Sequence, residues 1–241
     1  MMFFLGTHRP NWLWKVDVPL FVSRRTLSKV KRRGQAIAPW ALDSGGFTEL
    51  SMNGMWTITA EQYADEIKEL QEIGMMQWAA PQDWMCEPWI VEKTGLSVIE
   101  HQRRTVYNYQ ELKNLESPVI PVLQGWTLDD YKRCADLYLE AGINLTAEAT
   151  VGLGSVCRRQ ATSEIGELVK WGHESGYRLH GFGVKSAGIK KYGHYLASAD
   201  SMAWSYTARW NPDPLCEKKT CANCLHYALS WREKITHEGT Q

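Results

Sequence analysis

The chain has no net charge: 27 lysines and arginines balance 27 aspartates and glutamates over 241 residues. No global field therefore recruits a polyanion, and any contact with nucleic acid must rest on local clusters. No apolar run reaches the roughly 18 residues of a membrane span. Met1 to Leu5 is too short for the apolar core of a signal peptide and gives way to Gly6-Thr7-His8-Arg9. Without a leader, the six cysteines predict a reducing, cytoplasmic compartment, and metal or core roles rather than a disulfide framework. Cys86, Cys134 and Cys157, in apolar or helical contexts, are expected in the core. No linker, low-complexity stretch or second core precedes residue 211, so residues 1–210 read as one domain and 211–241 as a segment packed on it.

What is present is repetition. Thr59-Ala60-Glu61-Gln62 reads as a capping box, followed by Tyr63, Ile67 and Leu70 at helical spacing and a stop at Gly74. Thr127 opens a second helix through Tyr131, Ala135 and Tyr138 to Gly142. Thr162 opens a third through Ile165, Leu168 and Val169 to Gly176. Threonine entering, glycine leaving and an apolar strand next is the pattern of repeated βα units. Strands are expected near 19–23, 38–43, 76–81, 119–124, 149–154, 179–184 and 197–203, with an extra one at 3–6. Seven or eight such units predict an α/β fold, a TIM-like (β/α)8 barrel, with a doubly wound open sheet as the competitor.

In a barrel, chemistry gathers where strands meet the following loops. Those ends read Asp43-Ser44-Gly45-Gly46-Phe47, Asp83-Trp84, Gln124-Gly125-Trp126, Gly152-Leu153-Gly154-Ser155, Lys185 and Asp200. Three carboxylates, an amide, an amine and a glycine loop would converge on one mouth. Two carboxylates facing one sugar carbon suit a double displacement, one attacking and the other handling the leaving group's proton. Asp, Gln and a Gly-Leu-Gly backbone offer the in-plane donors and acceptors that a purine edge needs, and a neighbouring ring supplies a stacking face. A glycosidase acting on ordinary sugars would use similar carboxylates but would leave Asp83, Gln124 and the basic runs unused. Of the 12 tryptophans, Trp84 and Trp126 are the stacking candidates. Lys31-Arg32-Arg33 and Arg158-Arg159 are the candidate phosphate contacts.

Near the C-terminus, Cys216, Cys221 and Cys224 with His226 match a tetrahedral Cys3His zinc site, with His237 as the rival fourth ligand. Such a closed site is structural and would staple the tail to the barrel.

With both constellations, the chain resembles the tRNA-guanine transglycosylase superfamily along nearly its whole length. Asp43-Ser44-Gly45-Gly46-Phe47 matches the signature loop, and the cysteine-rich segment matches the zinc hallmark. Leu5-Gly6-Thr7-His8, Pro19-Leu20-Phe21-Val22-Ser23 and Cys221-Ala222-Asn223-Cys224-Leu225 look typical of the short branch that inserts 7-deazaguanines into DNA, the DpdA family of phages and bacteria. The resemblance implies a pentosyltransferase that exchanges guanine in DNA for a preQ0-type base, in a bacterial or phage-infected cell. Its partners would be DNA and the free 7-deazaguanine, with room for accessory proteins. Asp200 would be the nucleophile and Asp43 the general acid/base. Asp83, Gln124, Gly152 and Leu153 would read the base edge, and Phe47 would stack on its face. Ser44, Gly45, Gly46 and Lys185 would complete the pocket. The chain departs from the tRNA enzymes at Thr48, where the family's loop continues with Gln. It also departs in Ala199-Asp200-Ser201-Met202-Ala203-Trp204 and in the cysteine spacing, and it carries no appended RNA-binding domain. Exchange on tRNA and a catalytically silent nucleic-acid-binding barrel are the alternatives.

Overall fold

The computed structural model describes residues 1–157, 159, 162–214, 216 and 220–238, without the side chains of 237 and 238. Among them, eight parallel strands form one curled sheet: β1 (Met2–Thr7), β2 (Leu20–Ser23), β3 (Trp40–Asp43), β4 (Met76–Ala79), β5 (Val122–Leu123), β6 (Val151–Leu153), β7 (Leu179–Gly181) and β8 (Ser198–Ser201). Their order is β4-β3-β2-β1-β8-β7-β6-β5. The edges approach at a parallel bridge between Ala79 and Val119, where Ala79 N–H donates to Pro118 O at 2.9 Å and Ile120 N–H to Ala79 O at 3.2 Å. The extra strand expected at 3–6 is therefore no accessory. β1 sits mid-sheet, hydrogen-bonded to β2 and β8.

The expected punctuation holds. Capping boxes at Thr59 and Thr127 open α3 (Ala60–Gln71) and α6 (Leu128–Glu140), and the Thr162 hydroxyl accepts from Ile165 N–H to open α7 (Ser163–Glu174). Gly74, Gly142 and Gly176 follow these helices with φ of 77°, 78° and 83°, a left-handed turn that costs glycine nothing. Shorter helices α1 (Arg24–Leu27), α2 (Gly46–Asn53), α4 (Pro88–Thr94), α8 (Ser186–Tyr192) and α9 (Ala203–Trp210) follow other strand ends, and α5 (Val98–Asn114) is the longest.

Strand parity divides the core. Phe3, Leu5, Leu20, Val22, Trp40, Leu42, Leu153, Leu179 and Ala199 face the helices, in the large outer core. Their neighbours Phe4, Phe21, Ala41, Trp78, Val122 and Phe182 fill the concave side. Because side chains alternate along a strand, the residue two places past an inward ring is again inward, at the strand's C-terminal end. Asp43 follows Ala41, Gln124 follows Val122 and Asp200 follows Ser198 in this way. The last helix, α10 (Leu225–Glu238), contributes Ala228 and Ile235 to the outer core, and its Trp231 ring lies 6.1 Å from that of Phe3. No helix among the described residues is long and apolar enough to cross a membrane.

Candidate active site

The C-terminal strand ends enclose a cavity of ≈ 660 Å³. Asp43, Ser44, Gly46, Phe47, Asp83, Gln124, Lys185 and Asp200, all expected from the sequence, line it. Gly45 stands behind the wall: its φ of 81° turns the chain into α2, and its N–H donates to Asp43 Oδ1 at 3.0 Å. A Cβ there would meet Arg25 Cδ at 2.9 Å, so glycine is required twice over. Gly152 and Leu153 do not reach the cavity. Leu153 points into the outer core, and a Cβ on Gly152 would lie 2.5 Å from the Phe182 ring. The glycine loop presents Gly154 and Ser155 instead.

The carboxylates differ. Burial pushes the Asp43 carboxyl above its usual range; the Gly45 N–H and Ser23 hydroxyl pull it back, and the charge of Asp200 raises it again. Asp200 Oδ1 accepts the Gly183 N–H at 2.9 Å. Burial raises Asp83 to about 7, against the hydrogen bond from Gln124, with Asp43 and Glu87 adding to the rise. Gln124 Nε2 donates to Asp83 Oδ2 at 2.5 Å, and a Cβ on Gly154 would collide with that amide.

A proton count follows from this chain of contacts. Ser155 Oγ accepts the Cys86 N–H at 2.8 Å and lies 2.7 Å from Gln124 Oε1 and 2.8 Å from Glu87 Oε2. One hydroxyl hydrogen cannot serve two acceptors. The Asp83–Gln124–Ser155–Glu87 chain therefore needs one more proton, on Glu87 or on Asp83 with the Gln124 amide reversed. Ser155 is held there at φ 54°, in the left-handed region that a non-glycine residue rarely adopts. Ser155 ends the glycine loop that the sequence marks, but its meeting with Glu87 across 68 positions leaves no local signal.

The signature loop is braced from outside. Arg24 Nε donates to Ser44 O at 2.8 Å, while its other nitrogens reach Glu66 at 2.7 Å and Glu49 at 3.1 Å. Arg25 donates to the same Glu49 oxygen at 2.7 Å.

Several expected contacts fall elsewhere. Trp84 is buried beside Leu50 and Ile90 with Arg104 4.7 Å above its ring, and Trp126 lies under Arg159 at 3.9 Å. Neither lines the cavity; Phe21, Phe47, Phe182 and Tyr206 supply its rings. Arg159 also donates to Trp126 O at 2.6 Å and pairs with Glu164, while Arg158 lies outside the described residues. Arg33 pairs with Glu69, in the last turns of α3, so the segment with Lys31 and Arg32 runs at the end of the sheet opposite the cavity. The rim of the cavity instead carries His8, Met202 and Tyr206, with Trp210 one turn beyond Tyr206, its ring 6.5 Å away. Arg9 and Arg209 act on His8, whose pKa is lowered first by burial and then by these two cations.

The thiols of Cys216, Cys221 and Cys224 converge, all within 4.8 Å of one another. Three soft donors at that separation could hold a metal ion. His226 stands outside the group, exposed, its Nε2 3.6 Å from Asp213 Oδ2; the side chain of His237 lies outside the described residues. Cys86 and Cys134 are buried as expected, whereas Cys157 is exposed and lines the cavity.

Fold and site together define a parallel α/β protein with a carboxylate-bearing pocket at its C-terminal strand ends. Among solved structures, a fructose-1,6-biphosphate aldolase candidate from Coccidioides immitis superposes with a TM-score of 0.53 at 9% identity, covering 99% of this chain and 89% of its own. An isomerase candidate from Sinorhizobium meliloti gives 0.42 at 11% identity, over 83% of this chain and 49% of its own. Methylaspartate ammonia lyase from Clostridium tetanomorphum gives 0.39 at 13%, over 89% and 47%. At such identities the aldolase candidate speaks for the fold alone, and the other two carry no argument. No curated protein matches the chain. The family model of DpdA, DeoxyPurine in DNA protein A, matches residues 1–241. The chain belongs to the DpdA family, which ties it to modification of DNA.

Proposed function

We propose that this protein is a transglycosylase that exchanges guanine in DNA for a 7-deazaguanine base by double displacement. The observation that carries the reading is the placement of two carboxylates, Asp43 on β3 and Asp200 on β8, at one cavity in a DpdA family member. We read the curled sheet as a (β/α)8 barrel, completed at the Ala79–Val119 bridge.

In the first step an Asp200 oxygen bonds to C1′ as the C1′–N9 bond breaks, and guanine leaves with a proton from Asp43. A carboxyl raised by burial holds that proton more readily than an exposed one. In the second step Asp43, now a carboxylate, takes the N9 proton of the incoming 7-deazaguanine. N9 then displaces Asp200 from C1′ and restores the starting enzyme. Asp83, Gln124 and the Gly154–Ser155 backbone would read the base edge, between the rings of Phe47 and Phe182. The target nucleotide must leave its stack to enter, and its strand would cross the rim at Tyr206 and Trp210, with Arg9 and Arg209 on phosphates.

Cys216, Cys221 and Cys224 would hold one zinc ion, with His226 or His237 as fourth ligand, in a closed structural site that supplies cross-linking and no reaction chemistry. About one zinc per chain is expected by elemental analysis, and Cys221→Ser should lose both metal and several degrees of Tm. Metal-free protein with unchanged melting would remove the zinc from this account.

The test of function is nucleoside mass spectrometry of DNA and tRNA from cells expressing the protein with a deazapurine supply. A deoxynucleoside of the 7-deazaguanine is expected in DNA. Its appearance only in tRNA would transfer the chemistry to that substrate, and its absence from both would overturn the proposal.

A further inference from the structure

Behind the Phe21 and Phe182 rings of the cavity wall lies a histidine inside an apolar strand. His180, on β7, is fully buried, and the ring centroids of Trp78 and Phe182 lie 4.7 Å away, with Phe4 and Phe21 each at 6.0 Å. Its Nδ1 is 2.9 Å from Ser198 Oγ. Its Nε2 has no hydrogen-bond partner, yet it lies 3.3 Å from Asp200 Oδ1. A buried polar nitrogen in an aromatic cage costs stability unless something satisfies it, and the cage offers nothing else.

The tautomer follows from the neighbours. If Nδ1 carried the hydrogen, an electron-rich Nε2 would sit 3.3 Å from a carboxylate oxygen with no proton between them, which is unfavourable. With the Ser198 hydroxyl donating to Nδ1, the hydrogen sits on Nε2, beside Asp200 Oδ1 but out of line with it in the resting protein. We propose that His180 is a positioning residue for the nucleophile, a donor that takes Asp200 Oδ1 as the carboxylate turns to attack and so presents Oδ2 to C1′. In the resting protein Oδ1 is pinned by the Gly183 N–H instead, and catalytic hydrogen bonds commonly tighten only in the substrate complex. The two donors flank one oxygen and leave the other for bond formation. The inference rests on Asp200 being the nucleophile.

The test uses three substitutions in the full-length protein, with steady-state exchange of labelled base into DNA. In His180→Gln the amide nitrogen occupies the place of Nε2 and keeps the donor to Asp200. In His180→Asn the amide reaches only the place of Nδ1 and keeps the Ser198 contact. His180→Phe fills the aromatic cage with neither. The expected order of kcat is wild type, then Gln, then Asn and Phe together at about 100-fold below wild type, with KM for DNA unchanged. A merely structural histidine would give Asn at least the activity of Gln, and that order, or kcat within about threefold of wild type in all variants, would overturn the proposal. If the Phe variant does not fold, the Gln and Asn pair still decides. Wild-type exchange that persists in Asp200→Asn would refute the assignment of the nucleophile and the inference with it, an outcome distinct from an active wild type, a dead Asp200→Asn and equal His180 variants.

Discussion

Asp43 and Glu49 lie on one short stretch of chain, at the start and in the first turns of the same loop-and-helix, Glu49 buried and Asp43 half-buried at the cavity wall. Their environments are opposite. Burial would raise Glu49, but the Thr57 hydroxyl and N–H together with Arg24 and Arg25 overcome it and hold the carboxyl below its usual range. For Asp43 burial wins: the Gly45 N–H, the Ser23 hydroxyl and, least, the Arg24 charge pull the carboxyl down, the charge of Asp200 pushes it up, and its pKa is raised. The outer face of the loop is electrostatically complete and fixes the position of Ser44. On the inner face no arginine among the described residues is hydrogen-bonded to Asp43 and burial prevails, the condition that suits a proton carrier. The difference separates the residues that build the loop from those that use it.

The largest effect should come from the inner face. In the proposed mechanism Asp200→Asn removes the charge that would form the glycosyl ester, and exchange should fall by at least about a thousandfold while the melting curve stays cooperative. Near-normal exchange would assign the nucleophile elsewhere, with Asp43 next in line. On the outer face, Glu49→Gln leaves two arginines facing an amide, and a loss of about 3–5 kcal/mol in urea denaturation is expected. A negligible loss would show that the brace is dispensable and that the contrast between the faces is not what holds the loop.

A smaller, pH-dependent effect should follow from Asp83. Its folded pKa is about 7 against an ordinary value of 3.8, so the folded state binds the proton more tightly than the unfolded one. The stabilising contribution is therefore complete below pH 4 and is lost as pH rises through 7. Asp83→Asn should melt like the parent near pH 4 and exceed it increasingly toward pH 8, by up to about 4 kcal/mol. A constant offset across that range would mean that Asp83 stays ionised.

The smallest effect concerns the rim. Arg9→Ala or Arg209→Ala should each lower the slope of log K for DNA against log salt by about one, whereas Arg159→Ala should leave the slope alone and lower stability. The reverse result would restore the Arg159 cluster as the phosphate contact.

The sequence disclosed this molecule unevenly, for physical reasons. Helix entries at Thr59, Thr127 and Thr162 and exits at Gly74, Gly142 and Gly176 are local chemistry, and all were legible. So were Asp43, Asp83, Gln124 and Asp200, because an apolar strand ending in a polar group announces the edge of a sheet. Gly154 and Ser155 were blurred with Gly152 and Leu153, since the loop shows glycines but not which of them faces inward; strand parity settles it. His180 was hidden inside an apolar strand, where its partner Asp200 comes from the next strand of the sheet. Arg33 and Arg159 misled because a basic run says nothing of the acids opposite, and Glu69 and Glu164 are distant in sequence or on another element. Trp84 and Trp126 misled in the same way, each drawn into the core or under an arginine.

The central claim is that two of the cavity carboxylates, Asp200 and Asp43, have separate roles, one bonding to sugar and one moving protons. Its most direct test is intact-mass and peptide mapping of the protein after incubation with guanine-containing DNA and no free base. Wild type should carry a covalent nucleotide adduct on the peptide holding Asp200, and Asp43→Asn should show it more slowly. An adduct on Asp43, or exchange into DNA with no adduct under any quench, would contradict the account.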